Sequence, residues 1–123
     1  MAININSIDY ANFLKTYEHD DSTNKRLITD NSNVPILISN PNFNYKIIRL
    51  RFEDLPKSAT TGLPDRDKLI ALKYTVFPFQ DTTHAIYSTA KNFAILSNVV
   101  DGAQPGGSGL FWVEFSIINQ EAL

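Results

Sequence analysis

The sequence predicts a mainly β domain, an antiparallel β-sandwich or strongly curved sheet of about six or seven short strands with one amphipathic N-terminal helix. Three patterns carry that prediction. Residues 45–54 and 110–118 alternate apolar and polar side chains with a period of two, as in a sheet with one wet face. Turn-forming residues at 40–44, 56–68 and 101–109 separate the apolar runs. A helical stripe stands out in one place, residues 10–17. At 123 residues the chain makes a single domain, 1–123. A chain of this size buries roughly 65% of its unfolded surface, so it needs no disulfide or metal to fold.

Ile3 and Ile5 alternate with asparagines, the pattern of a short strand or an extended arm. Ser7 then reads as a helix N-cap, with Asp9 in the first turn. Tyr10, Phe13, Leu14 and Tyr17 follow at i, i+3, i+4 and i+7, one apolar stripe on a helix that docks on the core and ends at 18–20. Glu18, His19, Asp20 and Asp21 become a solvated helix end, because successive residues on a helix point about 100° apart and do not converge on a metal. Residues 20–33 are polar loop. Residues 34–38 form a short strand that Pro35 either confines to an edge or opens as its first turn, and 40–44 are a turn.

Residues 45–54 form the cleanest strand, with Ile48, Leu50 and Phe52 on one face and Arg49, Arg51 and Glu53 on the other. Residues 56–68 are a long loop. Asp65 and Asp67 there resemble the start of a calcium loop but lack its glycine and distal glutamate. Residues 69–79 are expected to be a strand ended by Pro78, with a short helix starting at Pro64 as the alternative. Residues 80–100 admit two readings. Either 84–89 and 93–100 are strands joined by 90–92, or Asp81, Thr82 and Thr83 cap a second helix near 82–97 and the fold is α+β. The last strand places Phe111, Val113, Phe115 and Ile117 in the core and Trp112 and Glu114 on the more exposed face.

Composition removes several function classes. Net charge is −2 at pH 7, with 20% charged residues and no clustered Lys and Arg of the kind that holds nucleic acid or an anionic membrane. No apolar run approaches the roughly 20 residues of a membrane span. The first residues carry neither a basic n-region nor a long apolar core, so no signal peptide is expected and the protein is made in a cytoplasm. With no cysteine there is no disulfide, thiolate metal site or thiol nucleophile.

Four of the five glycines fall in 101–109, between two apolar runs at 93–100 and 110–118. Each glycine motif fails on one residue. Ser108 stands where a phosphate-binding loop needs lysine. Trp112 stands where a dinucleotide fingerprint needs its third glycine, and Leu110 where a nucleophile elbow needs its second. The stretch reads as a hairpin loop long enough to reach a neighbour. His19 and His84, the two histidines, lack carboxylates in zinc-site spacing. His84 would be the base of any Ser-His-Asp set, but in its Thr-Thr-His-Ala setting it reads as a surface or strand-end residue.

Recognition surface remains. Arg49 and Arg51, two apart on one wet face, can grip a carboxylate or phosphate, or simply be solvated. Trp112, Asp101, Gly106 and Gly107 mark the hairpin as the first place to look for a contact. The expected function is a non-enzymatic structural or assembly subunit of a virus or phage particle or an injection machine, in a homo- or hetero-oligomer and located in the virion. No cofactor, metal, nucleic acid or membrane is expected. The second reading is a carbohydrate- or protein-binding β-sandwich module that stacks glycans on Tyr45, Tyr87 and Trp112. A small enzyme based on His84 is the third.

Overall fold

The computed structural model describes residues 2–20, 46–121 and 123. Among the described residues eight strands form one antiparallel sheet: β1 (Ile3–Ile5), β2 (Ile8–Asp9), β3 (Leu14–Asp20), β4 (Ile47–Pro56), β5 (Val76–Asp81), β6 (Lys91–Ile95), β7 (Val100–Ala103) and β8 (Leu110–Asn119). A five-residue helix, α1 (Arg66–Ile70), precedes β5. The strand order is β2-β1-β5-β6-β8-β4-β3, with β7 also paired to β8. The mainly β, antiparallel expectation holds, but the strands belong to one sheet rather than to the two of a sandwich. The expected strand at 34–38, the turn at 40–44 and Tyr45 lie outside the described residues.

The sheet curls strongly. β4, β8 and β6 lie between β3 and β5, yet the Tyr17 hydroxyl on β3 donates to Asp81 Oδ2 at the end of β5, 2.6 Å away. The concave side holds the core. Ile3, Ile5, Phe77, Phe79, Phe93 and Ile95 come from one half and Ile48, Leu50, Phe52, Val113, Phe115 and Ile117 from the other, all buried. Tyr10 joins them, its ring 5.5 Å from Phe52, and burial pushes its phenol up to about 12. Ala94 pairs with Ile118 on the opposite parity, and both are fully buried. The sheet is therefore apolar on both faces at that end.

The helix expected over 7–20 is not formed. Asn6 and Ser7 take φ of 52° and 70° in the turn between β1 and β2, so Ser7 caps nothing. A 3-10 turn at Ala11–Phe13 leads into β3. Leu14 pairs with Phe52, Thr16 with Arg51 and Tyr17 with Leu50, with a register shift between Leu14 and Thr16. That bulge puts Leu14 and Tyr17, three apart, on the same side of a strand. The i, i+3, i+4 spacing read as a helix thus arises from a turn followed by a bulge, with the β4 edge deciding the conformation.

Residues 2–20 work as a belt. β1 pairs with β5 through Ile3–Asp81, Asn4–Gln80 and Ile5–Phe79, while β3 pairs with β4. The belt grips the two sides of the four-strand run β5-β6-β8-β4 and closes it into a curl.

The 69–79 region also differs from expectation. Asp65 is buried, and its Oδ1 accepts from Lys68 N at 2.7 Å, the N-cap of α1. Its Oδ2 holds the Lys68 ammonium at 2.6 Å, and the carbonyls of Ala59 and Thr60 each hold it at 3.0 Å. β5 then runs through Pro78 to Asp81. In an antiparallel strand a residue's N and carbonyl point to the same neighbour. The Pro78 carbonyl accepts from Asn6 N at 2.9 Å, on the β1 side, so the missing N–H costs the β6 ladder nothing.

The second helix near 82–97 is not formed. Ala85–Tyr87 is a 3-10 turn and Lys91–Ile95 a strand, so the strand reading succeeds for the second of its two segments. The hairpin expectation holds in part. Ile95 pairs with Ile117 and Val100 with Glu114, leaving residues 96–99 as a bulge between β6 and β7. Asp101, expected in the loop, is in β7, and the turn narrows to 104–109.

Candidate functional site

The convex face of β3, β4, β7 and β8 gathers three of the six residues singled out in the sequence. Arg49 and Arg51 alternate with core residues on β4, and Trp112 alternates with Phe111 and Val113 on β8. Arg49 Nη2 lies 3.2 Å from Glu114 Oε1 and Arg49 Nη1 lies 3.7 Å from Glu18. Arg51 Nε lies 2.9 Å from Glu53, and its Cζ sits 4.4 Å from the centre of the Trp112 ring. The result is a ladder of both signs with a tryptophan under an arginine. The residue opposite Trp112 is Gly102, which gives the indole room to lie across the sheet.

Asp101 belongs elsewhere. It pairs with Val113 and so points to the other face, where its carboxylate meets Arg66 at 3.2 Å. Arg66 in turn stacks over Phe111 at 4.8 Å. Gly106 and Gly107 form the hairpin tip, with φ of 95° and 67°. Beside the ladder, the 96–99 bulge opens a shallow depression of about 360 Å³ lined by Arg49, Ser97, Asn98, Val100, Glu114 and Ser116. Among the described residues β7 has one partner, β8, and its Val100 is about half exposed.

A Cβ at Gly102 would stand 2.8 Å from Trp112 Nε1, closer than packing allows. Gly102→Ala is therefore expected to lift the indole off the sheet and away from Arg51. Trp112 is the single tryptophan, so its fluorescence reads this directly. A red shift is expected, and an unchanged emission maximum would mean that the ring does not lie over Gly102.

The second cluster was missed in the sequence. Asp81, at the end of β5, is fully buried. Its Oδ2 accepts from the Tyr17 hydroxyl at 2.6 Å and lies 2.5 Å from His84 Nδ1. A carboxylate only accepts, so Nδ1 carries the hydrogen. Its Oδ1 accepts from Thr83 N at 2.9 Å and from the Thr83 hydroxyl at 2.7 Å. Burial pushes the Asp81 carboxyl up, but the bonds from Tyr17, Thr83 and His84 outweigh it and hold the group below the usual carboxylate range. Burial, together with the hydrogen bond to Asp81, pushes the Tyr17 phenol well above its ordinary value.

Around this knot the rings of Tyr17 and His84 stack at 5.5 Å, His19 and His84 meet at 4.8 Å, and His19 and Tyr87 stack at 5.5 Å. The knot closes the seam where β3 meets the turn after β5. A buried carboxylate that orients an imidazole is also how general bases and metal ligands are held. Here the Thr83 hydroxyl, the nearest candidate nucleophile, is itself bound to Asp81. Among the described residues no group of three or more metal-binding side chains forms. The sequence did show Asp81, Thr82 and Thr83 as a cap, and Asp81 does bind Thr83 N that way. Nothing local signalled that Tyr17 and His19 would arrive from the other edge.

No protein-family model, curated protein or solved structure matches this chain. Among the described residues no helix is long and apolar enough to cross a membrane.

Proposed function

We propose that the protein is a non-enzymatic assembly subunit, of the kind that builds virus or phage particles or injection machines, and that it meets its neighbours through the convex face of β3, β4, β7 and β8. The observation that carries this reading is the composition of that face. Two arginines and a tryptophan, residue types enriched at protein contacts, lie among three glutamates beside the half-exposed Val100 of a strand with one partner among the described residues. Interleaved charges fix the register of a partner, and the apolar strand supplies area. A glycan-binding module is the second reading, supported by the hydroxyl and amide groups of Ser97, Asn98 and Ser116 around the depression. The Arg51 guanidinium already occupies one face of the Trp112 ring, which favours the protein partner.

Light scattering of concentrated native protein tests the first reading. It should find defined multi-chain species, weakened in Arg51→Glu and Trp112→Ala. A strictly monomeric wild-type protein at every concentration would sink the proposal. Saturable binding from a glycan panel, lost in Asn98→Ala, would move the assignment to the second reading.

A further inference from the structure

We infer that β7 pairs antiparallel with the β7 of a second copy, so that two sheets join across a two-fold axis at Gly102. The inference rests on the assembly reading and names how two subunits meet.

The register of β7 turns half of its backbone groups outward. Gln104 N donates to Leu110 O at 2.9 Å, which makes these two residues a hydrogen-bonded pair. Opposed residues in an antiparallel ladder alternate between bonded and non-bonded pairs. Gly102–Trp112 and Val100–Glu114 are therefore bonded, and Asp101–Val113 and Ala103–Phe111 are not. The N–H and carbonyl groups of Asp101 and Ala103 thus point away from β8. Among the described residues no second strand takes them up, and both residues are exposed. An edge of this kind accepts a further strand, and β7 carries neither lysine nor proline to prevent it.

The strand that fits is the same one turned about. With Gly102 opposite the partner's Gly102, Asp101 stands opposite the partner's Ala103 and Ala103 opposite the partner's Asp101. Every outward N–H then meets an outward carbonyl, and the pair is isologous. The neighbouring two-fold registers are worse. Centred on Asp101, the pairing sets two carboxylates directly opposite each other. Centred on Ala103, it sets Asp101 against the partner's Pro105, which has no N–H to give. At Gly102 the carboxylate of Asp101, already 3.2 Å from Arg66, faces an alanine. Glycine also suits the axis, because residues in a non-bonded pair approach to about 4.5 Å between α-carbons. The Trp112 indole lies over Gly102, where a Cβ would stand 2.8 Å from Nε1 and 3.1 Å from Cζ2. The two indoles therefore come side by side across the axis and add aromatic contact, while the half-exposed Val100 stands opposite the partner's Gln104.

Cross-linking tests the register in a chain with no cysteine of its own. A mixture of Val100→Cys and Gln104→Cys chains, oxidised at high concentration, should give a covalent two-chain band on a non-reducing denaturing gel. Either variant alone should not, because like positions in the pair lie at least roughly 13 Å apart, too far for a disulfide. Asp101→Cys mixed with Ala103→Cys, also opposed, repeats the test should the loss of the Gln104 bonds to Asp54 impair folding. Ala103→Pro removes an N–H that the chain's own ladder does not use. Its urea midpoint should stay near that of the wild type while light scattering finds association weaker by roughly tenfold or more, the effect of losing two hydrogen bonds per pair. No band from either mixture, or equal bands from the single variants, would overturn the β7 pairing. If multi-chain species persist in that case, assembly stands and the subunits meet elsewhere. A wild-type protein that is monomeric at every concentration removes both.

Discussion

Asp81→Ala is expected to destabilise the folded chain by about 1–3 kcal/mol, the usual cost of leaving buried polar groups without their acceptor. The side chain is fully buried, and its loss leaves the part-buried Tyr17 hydroxyl without its acceptor, whereas the exposed Thr83 and His84 can turn to water. Urea unfolding followed by circular dichroism measures it, and a loss under about 1 kcal/mol would mean that the seam relaxes to rehydrate the Tyr17 hydroxyl. The same knot fixes a pH profile. Asp81 has a folded pKa below its unfolded value of about 3.9. Its contribution is therefore complete well above that value and is lost as pH falls through the folded one. Tyr17 has a folded pKa above its unfolded value of about 10. Its contribution is present at and below neutral pH and declines as pH rises past 10. Stability should thus fall at both extremes, and Tyr17→Phe should remove the alkaline decline that belongs to this residue.

Phe52→Ala should cost about 3–5 kcal/mol. The ring is fully buried at the centre of β4, 5.5 Å from Tyr10 on the belt and 6.1 Å from Phe115 on β8. Its removal opens a cavity between the belt and the body that neither rigid ring can fill. Phe52→Leu keeps most of the volume and should lose no more than about 1.5 kcal/mol. Chemical denaturation of the pair checks the ratio, and equal losses would show that ring packing, rather than volume, sets the cost.

How much of this was legible depended on how far apart the cooperating residues lie. β4 and β8 were readable because a period of two over ten residues needs no outside information. Ile48, Leu50, Phe52, Val113, Phe115 and Ile117 all sit where their parity placed them. Parity likewise put Arg49 and Arg51 on one face and Trp112 on one face. It could not reveal the register that sets Phe52 against Val113 and thereby brings the Arg51 guanidinium over the indole. Asp101 was misplaced because the bulge at 96–99 resets the alternation between β6 and β7. The helix over 7–20 was misread for the same reason at Leu14 and Thr16, since a bulge converts strand parity into a three-residue spacing. The His84 knot was out of reach, because Tyr17 and Asp81 are 64 positions apart and neither is unusual among its own neighbours.

The belt also sets a timetable. Ala2 meets Thr82 across 80 positions, so during synthesis the belt has no docking site until β5 follows it. At 5–20 residues per second that interval is roughly 4–16 s, during which Ile3, Ile5 and Tyr10 are exposed in the nascent chain. Contacts of such long range make closure of the sheet a late and slow event in folding.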